Sequence, residues 1–145
     1  MSSNNHILAH EILEIIPIVM RPITAKLRQA GSTMNLAHFH LLVLLTRNSH
    51  NLSELAEKQA VSLPTMSNTV STLVDRGWVT RIRSTRDRRK VQIEITPEGL
   101  DILEQIWNEA EVYMTEFIAS LNPDECEKVL EGLVILRKVF SAPLK

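Results

Sequence analysis

The stretch VSLPTMSNTVSTLVDRGWVTRIRSTRDRRKVQIEITPEG, Val61 to Gly99, decides how this chain reads. A short amphipathic segment stops at Gly77, and two alternating segments follow, joined by an arginine-rich tip. Between Arg76 and Lys90 stand seven basic residues (Arg76, Arg81, Arg83, Arg86, Arg88, Arg89 and Lys90) and one acid, Asp87. The whole chain has 16 basic residues and a formal net charge of -1, so its basicity is local. Local basicity on a near-neutral chain implies a defined docking face for a polyanion. Helix, turn and basic hairpin in this order predict a winged helix-turn-helix that binds DNA.

Within the helix after Ser62 or Leu63, Met66, Val70, Leu73 and Val74 share the inward side. Pro64, Thr65, Ser67, Asn68 and Ser71 then face outward, with Thr72 toward the backbone side. Asn68 can bond adenine with both amide atoms, Thr65 and Ser67 offer hydroxyls, and the Thr65 methyl suits a thymine methyl. The free N–H groups near Ser62 to Thr65 favour a phosphate. Gly77 can end the helix in a left-handed conformation, with Trp78 closing over the cap. Beyond it, Trp78, Thr80 and Ile82 alternate with Val79 and Arg81. Across the tip, Val91, Ile93 and Ile95 alternate with Gln92 and Glu94, which predicts a hairpin with one apolar face. At the tip, Arg88 is assigned to the minor groove, where the potential is most negative. Arg86 and Lys90 are assigned to phosphates, and Asp87 and Arg89 to holding the tip together. The bland alternative for these arginines is a solvated charged hairpin.

Outside this stretch the pattern is helical. Leu8, Ile12, Ile15, Ile16, Val19, Ile23 and Leu27 mark a helix over residues 6–30 that Pro17 and Pro22 should bend or break near Pro17. Asn35 caps a second helix that buries Phe39, Leu42, Val43 and Leu45. Residues 47–50 read as polar linker, and Asn51 with Glu54 opens a third helix, SELAEKQA. Thr96-Pro97 opens a long helix carrying Leu103, Ile106, Trp107, Ala110, Met114, Phe117 and Leu121 on one side. Asn122-Pro123 opens the last, with Val129, Leu130, Leu133, Leu136, Val139 and Phe140. The expected division is a dimerisation helix over 1–33, a DNA-binding domain over 34–96 and dimerisation helices over 97–145. The terminal helices have apolar sides without a core of their own, so they call for a partner surface, most simply a second copy. From Pro97 to Glu131 ten acids face one base, which would repel DNA from that end.

Composition narrows the function further. A chain of 145 residues with 44% hydrophobic and 23% charged content suits one ordinary globular domain. It has no apolar run of membrane-spanning length and no cationic leader. The single cysteine, Cys126, excludes an internal disulfide and suits a reducing, cytoplasmic setting. Glycine-rich phosphate loops, nucleophile motifs and convincing metal sets are all missing, so neither an enzyme nor a cofactor is expected.

The segment VSLPTMSNTVSTLVDRGWVTR, the wing DRRKVQIEIT and the following TPEG closely resemble the MarR family of transcription regulators. The strong match covers about residues 34–99. The resemblance implies a homodimer that binds double-stranded DNA at a palindromic operator, mostly as a repressor, and that loses DNA affinity when a small phenolic or anionic effector binds. It carries DNA contacts onto Ser62, Thr65, Ser67 and Asn68, and the wing pattern onto Asp87, Arg88 and Arg89. The chain departs from the family pattern at Ser84, Thr72 and Asn35, and in its two first-helix prolines.

Other residues invite readings of their own. Cys126 follows Asp124 and Glu125, whose charge disfavours a thiolate, so a plain surface or interface cysteine is expected rather than a sensor. His6, His10 and Glu14 share a face and read either as solvated side chains or as metal ligands. His38 and His40 cannot chelate together, but either could line a ligand cavity with Met20 and Trp107, which otherwise read as core. Two further functions stay open: an effector-independent architectural DNA-binding protein, and a winged-helix module that grips an acidic protein partner.

Overall fold

The computed structural model describes residues 2–29, 34–83 and 90–141. Its elements run α1 (Ser3–Gln29), α2 (Leu36–Leu45), β1 (His50–Asn51), α3 (Leu52–Lys58), α4 (Leu63–Asp75), β2 (Val79–Arg83), β3 (Val91–Ile95), α5 (Pro97–Ile118) and α6 (Pro123–Ser141). Helices dominate, and the strands form one small antiparallel sheet in the order β1-β3-β2. By its internal contacts the chain divides within α5 into two units, Met1–Glu111 and Val112–Lys145.

In the first unit the core gathers around α2. Its sequence LAHFHLLVLL is apolar nearly all round, which suits a helix enclosed on several sides. Leu41 and Leu42 are fully buried, as are Leu55 on α3, Val70 and Leu73 on α4. Val43, expected inside, is only half-buried, while Leu41, not singled out by the pattern, is enclosed. Asn35 starts the helix by a reciprocal pair: its Oδ1 accepts from the His38 backbone N–H at 2.9 Å, and His38 Nδ1 accepts from the Asn35 N–H at 3.3 Å.

Two helices of this unit end in the same way. After α4, the Gly77 N–H donates to the Val74 carbonyl and the Trp78 N–H to that of Leu73, with Gly77 at a φ of 75°. After α3, Ala60 and Val61 donate to Glu57 and Ala56 in the same pattern. Both are Schellman closures, which need a left-handed residue. The second uses Ala60, at a φ of 53°. Helix α3 therefore stops at Lys58, short of the expected Ala60, because that residue supplies the turn.

Two expectations about the sheet are corrected. The linker after α2 contributes a strand, since His50 and Asn51 pair with Ile93 and Gln92. The apolar face of β2 also belongs to Val79 rather than to Trp78 and Ile82. Val79 pairs with Ile95, Arg81 with Ile93 and Arg83 with Val91, and directly opposed residues share a face. Val79 and Ile93 are buried, while Ile82 is 43% exposed. Trp78 belongs to the helix closure and packs half-buried against the core.

Thr96 joins the sheet to α5. Its Oγ1 donates to the Gly77 carbonyl at 2.5 Å and accepts from the Gly99 N–H at 3.0 Å. At Gly99 an added Cβ would lie 2.1 Å from the Trp78 carbonyl oxygen, so only glycine lets α5 start this close to the α4 closure. Helix α1 runs unbroken through Pro17 and Pro22, so of the expected bend or break near Pro17 the break does not occur. Two missing amide donors are tolerable in a helix of 27 residues. It adds Leu27 to the core, with Ile23 packed against it.

In the second unit, Asn122 caps α6 reciprocally: its Oδ1 accepts from the Glu125 N–H at 2.8 Å and its own N–H donates to Glu125 Oε1 at 3.1 Å. The cap logic read from the sequence holds, yet α6 buries none of its residues. Cys126 is half-buried in its first turn.

Candidate nucleic-acid interface

Helix α4 owes its start to Ser62, whose Oγ accepts from the Thr65 N–H at 3.2 Å and donates to Thr65 Oγ1 at 2.8 Å. Pro64 in the first turn removes a donor that would have no partner there. Met66, Val70 and Leu73 are buried, with Val74 half-buried beside them. The helix is thereby anchored on the side the sequence predicts.

The opposite side carries the proposed readers. Pro64, Thr65 and Asn68 are exposed, and Ser67, Ser71 and Thr72 are half-buried. Thr72 spends its hydroxyl proton on the Asn68 carbonyl at 3.0 Å, and Thr69 does the same with Thr65 at 3.0 Å. The Asn68 side-chain amide makes no hydrogen bond among the described residues and is free to take both roles of a base pair's partner. Ser71 is engaged: its Oγ accepts from Arg81 Nη2 at 2.9 Å.

Arg81 is a residue the sequence pattern did not single out. It lies two positions from Val79 on the same face of β2, and this parity turns it toward α4. The visible signal was the burial of Val79, which the alternation starting at Trp78 obscured. The described basic residues thus divide. Arg81 ties the wing strand to α4, while Arg83 and Lys90 stay exposed. Arg76 lies over the Trp78 ring, 5.3 Å from its centroid, with one buried, unpartnered guanidinium nitrogen. Arg86, Asp87, Arg88 and Arg89, the expected wing tip, lie outside the described residues.

Of the four suggested ligand residues, one lines the described cavity. Trp107 lines an open cavity of about 660 Å³ between the last turn of α2 and the start of α5. Its ring stacks on Phe39 at 5.8 Å between centroids, and its Nε1 donates to Glu111 Oε1 at 2.7 Å. His38 is buried in the α2 cap, His40 is exposed, and Met20 lies half-buried on α1. None of these three lines that cavity. His10 pairs with Glu14 at 3.3 Å on the exposed surface. Among the described residues no three His, Cys, Asp or Glu side chains converge to hold a metal, and no helix is long and apolar enough to cross a membrane.

Comparison with known proteins places this geometry. The MarR family profile matches residues 34–91, from two residues before α2 to the first residue of β3. The chain is 30% identical over 143 residues to the uncharacterized HTH-type transcriptional regulator YfiV of Bacillus subtilis, covering 94% of this chain and 89% of that protein. It is 38% identical over 79 residues to the HTH-type transcriptional repressor YetL of the same organism, covering 52% of this chain and about half, 47%, of the relative. The crystal structure of wild-type MarR (apo form) from E. coli superposes with a TM-score of 0.76 over 91% of this chain and 95% of that one, at 24% identity, a likeness of fold. A winged helix-turn-helix with a capped α4 and a basic wing strand, together with the family profile and the likeness to YfiV over nearly the whole chain, makes this protein a member of the MarR family of DNA-binding transcriptional regulators.

Proposed function

We propose that the chain works as a cytoplasmic homodimer that represses transcription from a palindromic operator. Residues 34–96 read the DNA, and the helices of 1–33 and 97–145 hold the two copies together. The observation that carries this reading is the face of α4. It presents Pro64, Thr65 and Asn68 to solvent while Met66, Val70 and Leu73 lock it to the core. Asn68 pairs with adenine, Thr65 and Ser67 contact bases or phosphates, and the N-terminus near Ser62 takes a phosphate. Arg86 and Lys90 neutralise phosphates, Arg88 enters the minor groove, and Asp87 and Arg89 hold the tip. Repression is supported by the similarity to YetL.

Dimerisation is supported by apolar surface left open in each unit. On α1, Ile7, Leu8, Leu13, Ile15 and Ile16 are exposed, and on α6 so are Leu130, Leu133, Val134, Ile135 and Phe140. Surface of that extent marks an association site. Two copies would place their reading helices in half-sites about 10 base pairs apart, or a multiple of that. A small aromatic ligand lowers operator affinity by favouring a spacing of the two helices that no longer fits, which takes only differential binding to two states.

The test is a fluorescence-anisotropy titration against the DNA immediately upstream of the gene, at moderate salt with excess nonspecific competitor. A competitor-resistant complex of one dimer per palindrome is expected. Binding that competitor removes, and that follows salt alone, would instead favour an architectural DNA-binding role.

A further inference from the structure

The cavity between α2 and α5 has a chemistry of its own. Its walls include Val43 and Thr46 from the end of α2, and Leu100, Asp101, Glu104 and Trp107 from one stripe of α5. No Lys, Arg or His stands among its lining residues. Asp101 and Glu104 are both exposed carboxylates. Helix α2 ends at Leu45 with its last carbonyls satisfied: Thr46 Oγ1 donates to the Val43 carbonyl at 2.6 Å and the Arg47 N–H to that of Leu44 at 3.4 Å, so the charge of the cavity rests on the two carboxylates. The Arg47 side chain is exposed and not part of the wall.

The aromatic component is held in place. Phe39 stacks on the Trp107 indole with the rings 9° from parallel, and Glu111 holds its Nε1. Trp107 nevertheless keeps 43% of its surface exposed where it lines the cavity. A fixed indole with carboxylates one and two turns away is an attractive surface for a cation bearing apolar groups. An anion entering the same space would meet two carboxylates. The volume, about 660 Å³, falls within the range that holds a small organic ligand.

We infer that this cavity binds a small aromatic organic cation, an amine or quaternary ammonium, rather than the phenolic or anionic effector that family resemblance suggests. The indole ring receives the cationic head, Asp101 and Glu104 balance its charge, and Leu100, Leu103 and Val43 cover the apolar body. This inference concerns occupancy of the cavity. It stands or falls separately from operator binding, and from whether the occupant alters it.

The experiment is a titration of the full chain with benzyltrimethylammonium, followed by calorimetry and by the indole N–H resonances of the two tryptophans. The Trp107 signal is assigned by its loss in Trp107→Phe. Saturable binding tighter than ~1 mM is expected, a level at which a small site is distinguished from weak nonspecific association. The Trp107 resonance should move and that of Trp78 should not. Benzyl alcohol and salicylate should each bind at least about tenfold more weakly, because neither carries the charge the site selects. Asp101→Asn with Glu104→Gln should weaken the cation about tenfold while leaving the circular dichroism spectrum unchanged, since both side chains are exposed. Three results would overturn the inference: no saturable binding of the cation, equal or tighter binding of salicylate, or an affinity indifferent to the double substitution in a folded protein.

Discussion

Helices α4 and α6 are built alike and end up differently. Each begins with a polar cap followed by proline within the first turn, Ser62 with Pro64 and Asn122 with Pro123, and each carries apolar residues at helical spacing. Yet α4 buries Met66, Val70 and Leu73, whereas α6 buries nothing and leaves Leu130, Leu133 and Phe140 open. Capping is a matter of the few residues around a helix end, and burial is a matter of what lies opposite. Helix α4 finds its partner surface in α2, α3 and the sheet of its own unit. Helix α6 has only half-buried positions such as Cys126 and Leu136, and a second copy is proposed to cover the rest.

The largest test of this contrast is a matched pair of truncations. Leu73→Ala should cost about 2–5 kcal/mol of unfolding free energy, independent of protein concentration, because it opens a cavity in a closed core. Leu133→Ala should act through association, lowering the melting temperature most in dilute protein. A concentration-independent loss at Leu133 in sedimentation-checked samples would break the comparison.

Next in size is the exposed side of α4. Replacing Asn68 by Ala should reduce discrimination for the preferred base by about 1–3 kcal/mol and leave competitor-sensitive binding almost unchanged. Lys90→Ala should instead weaken all DNA equally and lower the salt slope by about one. If Asn68→Ala weakened specific and nonspecific binding alike, the reading role of that face would be lost.

Caps sharpen the comparison from the other direction. Ser62→Ala and Asn122→Ala should each destabilise their helix by about 1 kcal/mol, similar values despite the unequal burial of the two helices. Chemical denaturation at high protein concentration, where association is saturated, measures both. The smallest effect is a gain. Ala60 closes α3 at a positive φ, so Ala60→Gly should stabilise by about 0.5–1 kcal/mol, the relief of left-handed strain exceeding the added chain entropy. A loss at that position would mean that the Ala60 methyl group contributes packing.

How far the chain could be read in advance follows from the range of each signal. Asn35, Asn51, Ser62, Gly77 and Asn122 mark helix ends because capping bonds reach only three or four residues, and each stands where those residues place it. The face of α4 was equally legible, since Met66, Val70 and Leu73 recur at the helical period. The hairpin was legible as a hairpin, but the parity of β2 was not. Trp78, taken as its first inward residue, is held by the Leu73 carbonyl in the α4 closure, and a one-residue shift in the start of a strand exchanges its faces.

Sequence by itself therefore determined the helix-turn-helix order, the caps, the buried and exposed sides of α4 and the local basicity, all of which depend on neighbours along the chain. Tertiary structure alone decided the rest. Residues His50 and Asn51 become a strand only because Ile93 and Gln92 lie beside them, since two residues are too few to show a period. Arg81 reaches Ser71 because the sheet register turns it toward α4. The acidic, tryptophan-lined cavity exists because residues about 60 positions apart, at the end of α2 and the start of α5, are brought together by packing that no local pattern encodes.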